Sequence, residues 1–168
     1  LRGGKTISYI IIDGYNLIGI YHKDLKKQRE QLIDSLIKYR KRKGHEVTVV
    51  FDGWKTGGGQ ENQAVIGGIR VIYSRIGDTA DSVIKRIISS ERCEWIVVTS
   101  DRDIADYAWA LGSIPLSSEK FLTVIERGVS DVFEQEEYSE EYREPLRKGN
   151  PRRLSRKEKA ISRALNKL

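Results

Sequence analysis

Residues 9–20 read YIIIDGYNLIGI, and the reading of this stretch decides the fold. Residues 7–12 are a short apolar run rich in β-branched isoleucine, which predicts a buried strand. The run ends on Asp13, and Asn16 follows three positions later. Burying a charge without a partner costs several kcal/mol, so Asp13 needs a reason to stand there.

The pattern repeats downstream. Residues 47–51 form a second apolar strand that ends at Asp52-Gly53. Residues 68–73, 95–99 and 114–116 read as the third, fourth and a short fifth strand. Helices are predicted over about 23–43, 79–89, 102–111 and 117–127. The first sets Leu25, Leu32, Leu36 and Tyr39 at helical spacing and stops at Gly44. The second turns Val83, Ile84, Ile87 and Ile88 inward, and Gly112 ends the third. The polar, Gly-rich stretch WKTGGGQENQ (54–63) reads as a loop. The strands are continuous apolar runs and alternate with helices. That combination predicts an α/β fold with a mostly parallel sheet covered on both faces.

Acid falls where these strands end. Asp13 follows the first and Asp52 the second. Asp78 and Asp81 follow the third, and Asp101 and Asp103 the fourth. In open parallel sheets the carboxyl ends of the strands form the ligand crevice. Six carboxylates at one edge repel one another, and a divalent cation is the usual relief. An all-oxygen set suits Mg²⁺ or Mn²⁺. No His or Cys lies within these motifs, which argues against zinc. Each position also has a structural reading. Asp78 reads as a helix cap, Asp81 as a favourable charge in a first helical turn, and Asp52 as a turn residue. Ser100 and Asp103 read as a capping pair, and Asp106 as structural. Asp13 and Asp101 resist such accounts, since each directly follows an apolar strand.

Other chemistries are missing their motifs. There is no GxxxxGK[ST], no GxGxxG after the first strand and no GxSxG. An aspartyl-phosphate enzyme would want Asp at position 15, which is Tyr. His22 and His45 flank a helix in polar surroundings and read as surface residues.

Composition sets the frame. The 168 residues are 39% hydrophobic and 32% charged, which fits a soluble globular protein of one domain. No apolar run approaches the roughly 20 residues of a membrane helix. No secretory signal is read, and the single Cys93 fits a reducing compartment, so a cytoplasmic location is expected. The opening LRGGKT (1–6), in a sequence without methionine, reads as a leader or a scar of truncation. The net charge of +6 is unevenly spread: residues 131–145 hold 1 basic and 7 acidic side chains, and residues 146–168 hold 9 basic and 1 acidic. A basic tail beside an acidic segment points to a polyanionic partner such as nucleic acid, or else to a solvated tail. A helix from Ser155 is predicted in the tail, with Ile161, Leu165 and Leu168 on one side.

IIDGYNLI, VVFDG, GDTADSVIKRI and IVVTSDRDI, in this order, resemble the NYN domain family. These are relatives of PIN-domain nucleases, and the match is to the YacP-like branch. The motifs cover about residues 7–128; the acidic segment and the basic tail lie outside them. The resemblance implies a PIN-like three-layer α/β/α fold and metal-dependent cleavage of RNA in decay or processing. By motif, Asp13 and Asn16 correspond to the D-x-x-N pair, Asp81 to the acid of the AD pair, and Asp101 and Asp103 to the SDxD pair. Asp52 corresponds to the FDG aspartate. The expected metal set is Asp13, Asp81, Asp101, Asp103 and Asp52, with Asn16 orienting a carboxylate or binding a phosphate oxygen.

RNA binding needs cations and flat surfaces. Trp54 and Lys55 can stack a base and meet a phosphate, or fold onto their own domain. Arg102 can reach a phosphate or pair with a neighbour. Arg152, Arg153, Arg156 and Lys157 of the tail can dock on mRNA or structured RNA, the ribosome included, with strong salt dependence. The alternatives are a non-catalytic RNA-binding or ribosome-associated adaptor that kept the fold, and a DNA flap-type nuclease.

Overall fold

The computed structural model describes residues 6–19, 24–53, 60–133 and 154–168. Six strands make one sheet: β1 (Tyr9–Asp13), β2 (Glu46–Phe51), β3 (Asn62–Ile66), β4 (Ile69–Tyr73), β5 (Trp95–Val98) and β6 (Ile114–Leu116). The described helices are α1 (Gly14–Ile18), α2 (Leu25–Lys43), α3 (Ala80–Ser90), α4 (Arg102–Ala110), α5 (Ser118–Phe133) and α6 (Arg156–Lys167). The strand order is β3-β4-β2-β1-β5-β6. All neighbours pair in parallel except β3, which runs antiparallel on β4.

Alternate strand residues feed two apolar layers, as a doubly covered sheet requires. Ile10, Ile12, Val49 and Val71 face Leu32, Leu36, Tyr39 and Phe121 of α2 and α5. Ile11, Val50, Ile72 and Val97 face Val83, Ile84 and Ile87 of α3 and Ile104 of α4. The fold is therefore the expected three-layer α/β/α with a mostly parallel sheet.

Four local readings change. The loop expected over 54–63 gives way to β3 at Asn62. All five β3 residues are exposed, so an edge strand paired on one side carries no burial pattern to read. A one-turn helix, α1, follows Asp13 directly. The helix expected over 117–127 runs on to Phe133, into the segment read as acidic tail. His45 is no surface residue: it is 2% exposed. Its Nδ1 accepts from the Ser8 N–H at 3.1 Å, and Nε2 lies 2.9 Å from the Lys167 carbonyl.

That last bond ties α6 to the sheet's base. Ala164 and Leu168 are buried, and Ile161 and Leu165 pack on the same core. The Tyr39 hydroxyl donates to the Leu168 carbonyl at 3.4 Å. Ser155 and Glu158 close a capping box that starts the helix where the sequence placed it. Gly53 is required by a close approach: a Cβ there would stand 1.5 Å from the Ser74 carbonyl oxygen.

Candidate metal and nucleic-acid site

The sheet changes direction at β1. From it the chain builds outward to β2 and β4 on one side, then returns to lay β5 and β6 on the other. The carboxyl end of β1 is thus the topological switch point, where open α/β sheets bind ligands. Asp13 is the last residue of β1, and Asp101 stands three residues past the end of β5, its neighbour.

Asp13 is half-buried, and its carboxyl is pushed up to about 7. Burial is the main cause. The Asn16 backbone N–H pulls the other way, short of full capping geometry. The charges of Asp52, Asp101 and Asp81, in that order, add to the rise. Three carboxylates, from the chain that follows β2, β4 and β5, therefore act on Asp13. Asp103 is not among them; it is exposed in the first turn of α4.

Each surrounding carboxylate also has a local partner. Asp52 Oδ1 accepts from the Ala80 N–H at 2.6 Å, joining β2 to the start of α3. Asp101 Oδ1 accepts from the Asp103 N–H at 2.8 Å and so caps α4. That corrects the reading of Ser100 as the cap by one residue. The α3 cap is Thr79; Asp78 instead pairs with Arg75 at 3.1 Å. Lys85 Nζ stands 3.1 Å from both oxygens of Asp81, yet only Oδ2 is aligned to accept, and the buried Oδ1 has no hydrogen bond. The ammonium also lies over the Tyr107 ring at 5.6 Å. Lys85 went unremarked in the sequence, although an acid–lysine pair at i, i+4 is a readable signal.

Asn16 is tied to distant chain. Its Oδ1 accepts from the Ser100 N–H and from the Ser118 hydroxyl, both at 2.7 Å. Ser118 is the first residue of α5, and the Ser117 hydroxyl accepts from the Lys120 N–H.

The donor set is chemically right for a hard divalent cation: carboxylates only, one half-buried among like charges, one with an orphaned oxygen. Among the described residues, no three acidic, imidazole or thiol groups stand close enough to hold an ion as placed. Local hydrogen bonds occupy the carboxylates instead. Arg102, Arg156 and Lys157 are exposed, the last with its ammonium 5.4 Å from the Trp109 ring centre. Trp54, Lys55, Arg152, Arg153 and His22 lie outside the described residues, as does the acidic segment beyond α5.

A family model described as the YacP-like NYN domain matches residues 10–167, past the 7–128 that the motifs span and through α6. The chain is similar to the crystal structure of Rae1 (YacP) from Bacillus subtilis, with 28% identity and a TM-score of 0.58, over 76% of this chain and 80% of that one. It is also similar to a tryptophan-to-leucine mutant of the same Bacillus subtilis protein, with 22% identity and a TM-score of 0.59, over 96% and 91% of the two chains. The second likeness speaks for the fold alone. No curated protein matches the chain. With its motifs in order and its sheet from Ile10 onward and α6 inside the matched span, the chain belongs to the YacP-like NYN domain family of nuclease-like domains.

Proposed function

We propose that the domain is a divalent-metal-dependent endoribonuclease. Asp13, Asp81 and Asp101 would hold Mg²⁺ or Mn²⁺, with Asp52 and Asp103 as outer members. One observation carries the reading: Asp13 stands half-buried at the switch point while three more carboxylates act on it. Such crowding works against the fold, and a cation site gives it a use. When bound, the ion would supply Lewis-acid activation of water and charge stabilisation at the scissile phosphate.

The chain's own residues then bind and orient. The Asn16 carbonyl oxygen is taken by Ser100 and Ser118, so the amide NH₂ is its group for a phosphate oxygen. Arg102, at the start of α4, is a cation for a neighbouring phosphate. Trp54 and Lys55 would stack a base and meet the backbone. Arg152, Arg153, Arg156 and Lys157 would add salt-dependent affinity for mRNA or structured RNA, including RNA of the ribosome in the cytoplasm. Hydrolysis by in-line attack would leave a 5′-phosphate and a 3′-hydroxyl.

The dispersed carboxylates favour a second reading, a non-catalytic RNA-binding adaptor. One experiment separates the two. Purified protein is incubated with RNA or matched single-stranded DNA in Mn²⁺, Mg²⁺ or EDTA, beside Asp13→Asn and Asp101→Asn. The nuclease reading expects RNA cleavage that EDTA and each substitution abolish. Cleavage that survives them sinks it, and binding without cleavage in any metal selects the adaptor.

A further inference from the structure

Arg29 of α2 is held in place by aromatic groups and, among the described residues, by no acid. Its Nη1 donates to the Tyr15 hydroxyl at 2.9 Å, and the guanidinium lies over the Tyr73 ring at 5.9 Å. Arg40, Arg70, Arg75, Lys85 and Arg86 each pair with a carboxylate; among the described residues none lies within 4.0 Å of Arg29.

The support beneath it is a packed set of aromatic rings that reaches the acidic edge. Tyr15 is 3% exposed and meets Phe51 edge-on at 5.2 Å; Phe51 stacks on Tyr73 at 5.5 Å. Tyr15 lies two residues after Asp13, and Phe51 immediately precedes Asp52. The three rings therefore fix the guanidinium relative to two of the site's carboxylates. Asp52 and Arg29 both act on the Tyr15 hydroxyl without pairing with each other. An arginine stays charged, carries five donors and matches a phosphate bidentately. Ordering it in advance cuts the entropy lost on binding.

We infer that Arg29 forms a phosphate-binding subsite at the Asp52 side of the acidic edge, taking a backbone phosphate of the bound RNA strand. This rests on the RNA-cleaving function proposed above. An edge crowded with carboxylates repels a polyanion, and a fixed cation beside it draws the strand into register. The competing role is a staple between α2 and α1, which needs a hydrogen-bond donor and no charge.

The test is anisotropy binding of a labelled single-stranded RNA to the full chain carrying Asp101→Asn, in Mg²⁺, across a salt series. Arg29→Gln and Arg29→Met are compared with Arg29→Lys, and melting temperature reports folding. Neutral variants are expected to weaken binding about tenfold and to lower the salt slope by about 0.7, the value of one phosphate contact on a single strand. Arg29→Lys should keep the slope. Folded neutral variants with unchanged affinity and slope overturn the subsite and leave the nuclease reading standing. A parent that binds no RNA at any salt overturns the function itself, and the subsite with it.

Discussion

Asn16 and Ser118 stand 102 positions apart and share a 2.7 Å hydrogen bond. The same Asn16 oxygen accepts from the Ser100 backbone. One amide thus joins α1, the β5–α4 connection and the start of α5, three segments around the switch point. Asn16→Ala removes both bonds and leaves the buried Ser118 hydroxyl unpaired, at about 1–3 kcal/mol. Ser118→Ala removes one bond and leaves the other, for about 0.5–1.5 kcal/mol. Urea denaturation checks both. A larger loss for Ser118→Ala than for Asn16→Ala would contradict this account of the joint.

Asp52 has a structural bond and a proposed metal role, which substitution can separate. Its Oδ1 receives the Ala80 N–H at the start of α3, which an amide oxygen can also do. Asp52→Asn is expected to melt close to the parent, while Asp52→Ala loses about 1 kcal/mol, the usual value of such a capping bond. If Asp52 is an outer member of the metal set, Asp52→Asn should lower RNA cleavage much less than Asp101→Asn. Equal losses would place Asp52 at the centre.

The sequence exposed the acidic edge because topology does most of the placing. Once residues 9–13, 46–51 and 95–98 read as parallel strands, their carboxyl ends must share one edge, and Asp13, Asp52 and Asp101 go with them. Side-chain partners follow from different rules. Asp81–Lys85 was readable at its i, i+4 spacing, but nothing local announces that Asp52 reaches residue 80. Caps slipped by one position because Ser100-Asp101 and Asp78-Thr79 each offer two capping side chains in a row. β3 escaped since NQAVI is exposed throughout. The fate of α6 was hidden too: its apolar face is plain, but the donors to its carbonyls, Tyr39 and His45, lie over 120 residues away.

Docking of α6 gives a prediction about stability. His45 bridges Ser8 and Lys167, so its Nδ1 is the acceptor and Nε2 carries the hydrogen. His45→Ala leaves the buried Ser8 N–H unpaired, at about 1–3 kcal/mol, and frees the part-buried Lys167 carbonyl. Amide exchange should quicken in α6 before it quickens in the central strands. Unchanged α6 protection in this variant would mean that Ala164, Leu168 and their neighbours hold the helix alone.

Asp13 gives the pH dependence. Its carboxyl lies at about 7 in the folded chain against 3.8 ordinarily. The folded state therefore keeps a proton that the unfolded state has released, and stability falls as pH rises between these values. The full penalty, present above pH 7, is at most about 4 kcal/mol at 1.36 kcal/mol per unit. Asp13→Asn removes the charge, so in EDTA it should melt above the parent at pH 8 and close to it at pH 4. Mg²⁺ or Mn²⁺ should raise the parent's melting temperature at pH 8 and leave Asp13→Asn nearly unmoved, because the ion would offset the charge that the variant lacks. A parent indifferent to both pH and metal would show that Asp13 finds its relief within the protein, and the case for a cation at the switch point would lose its main physical support.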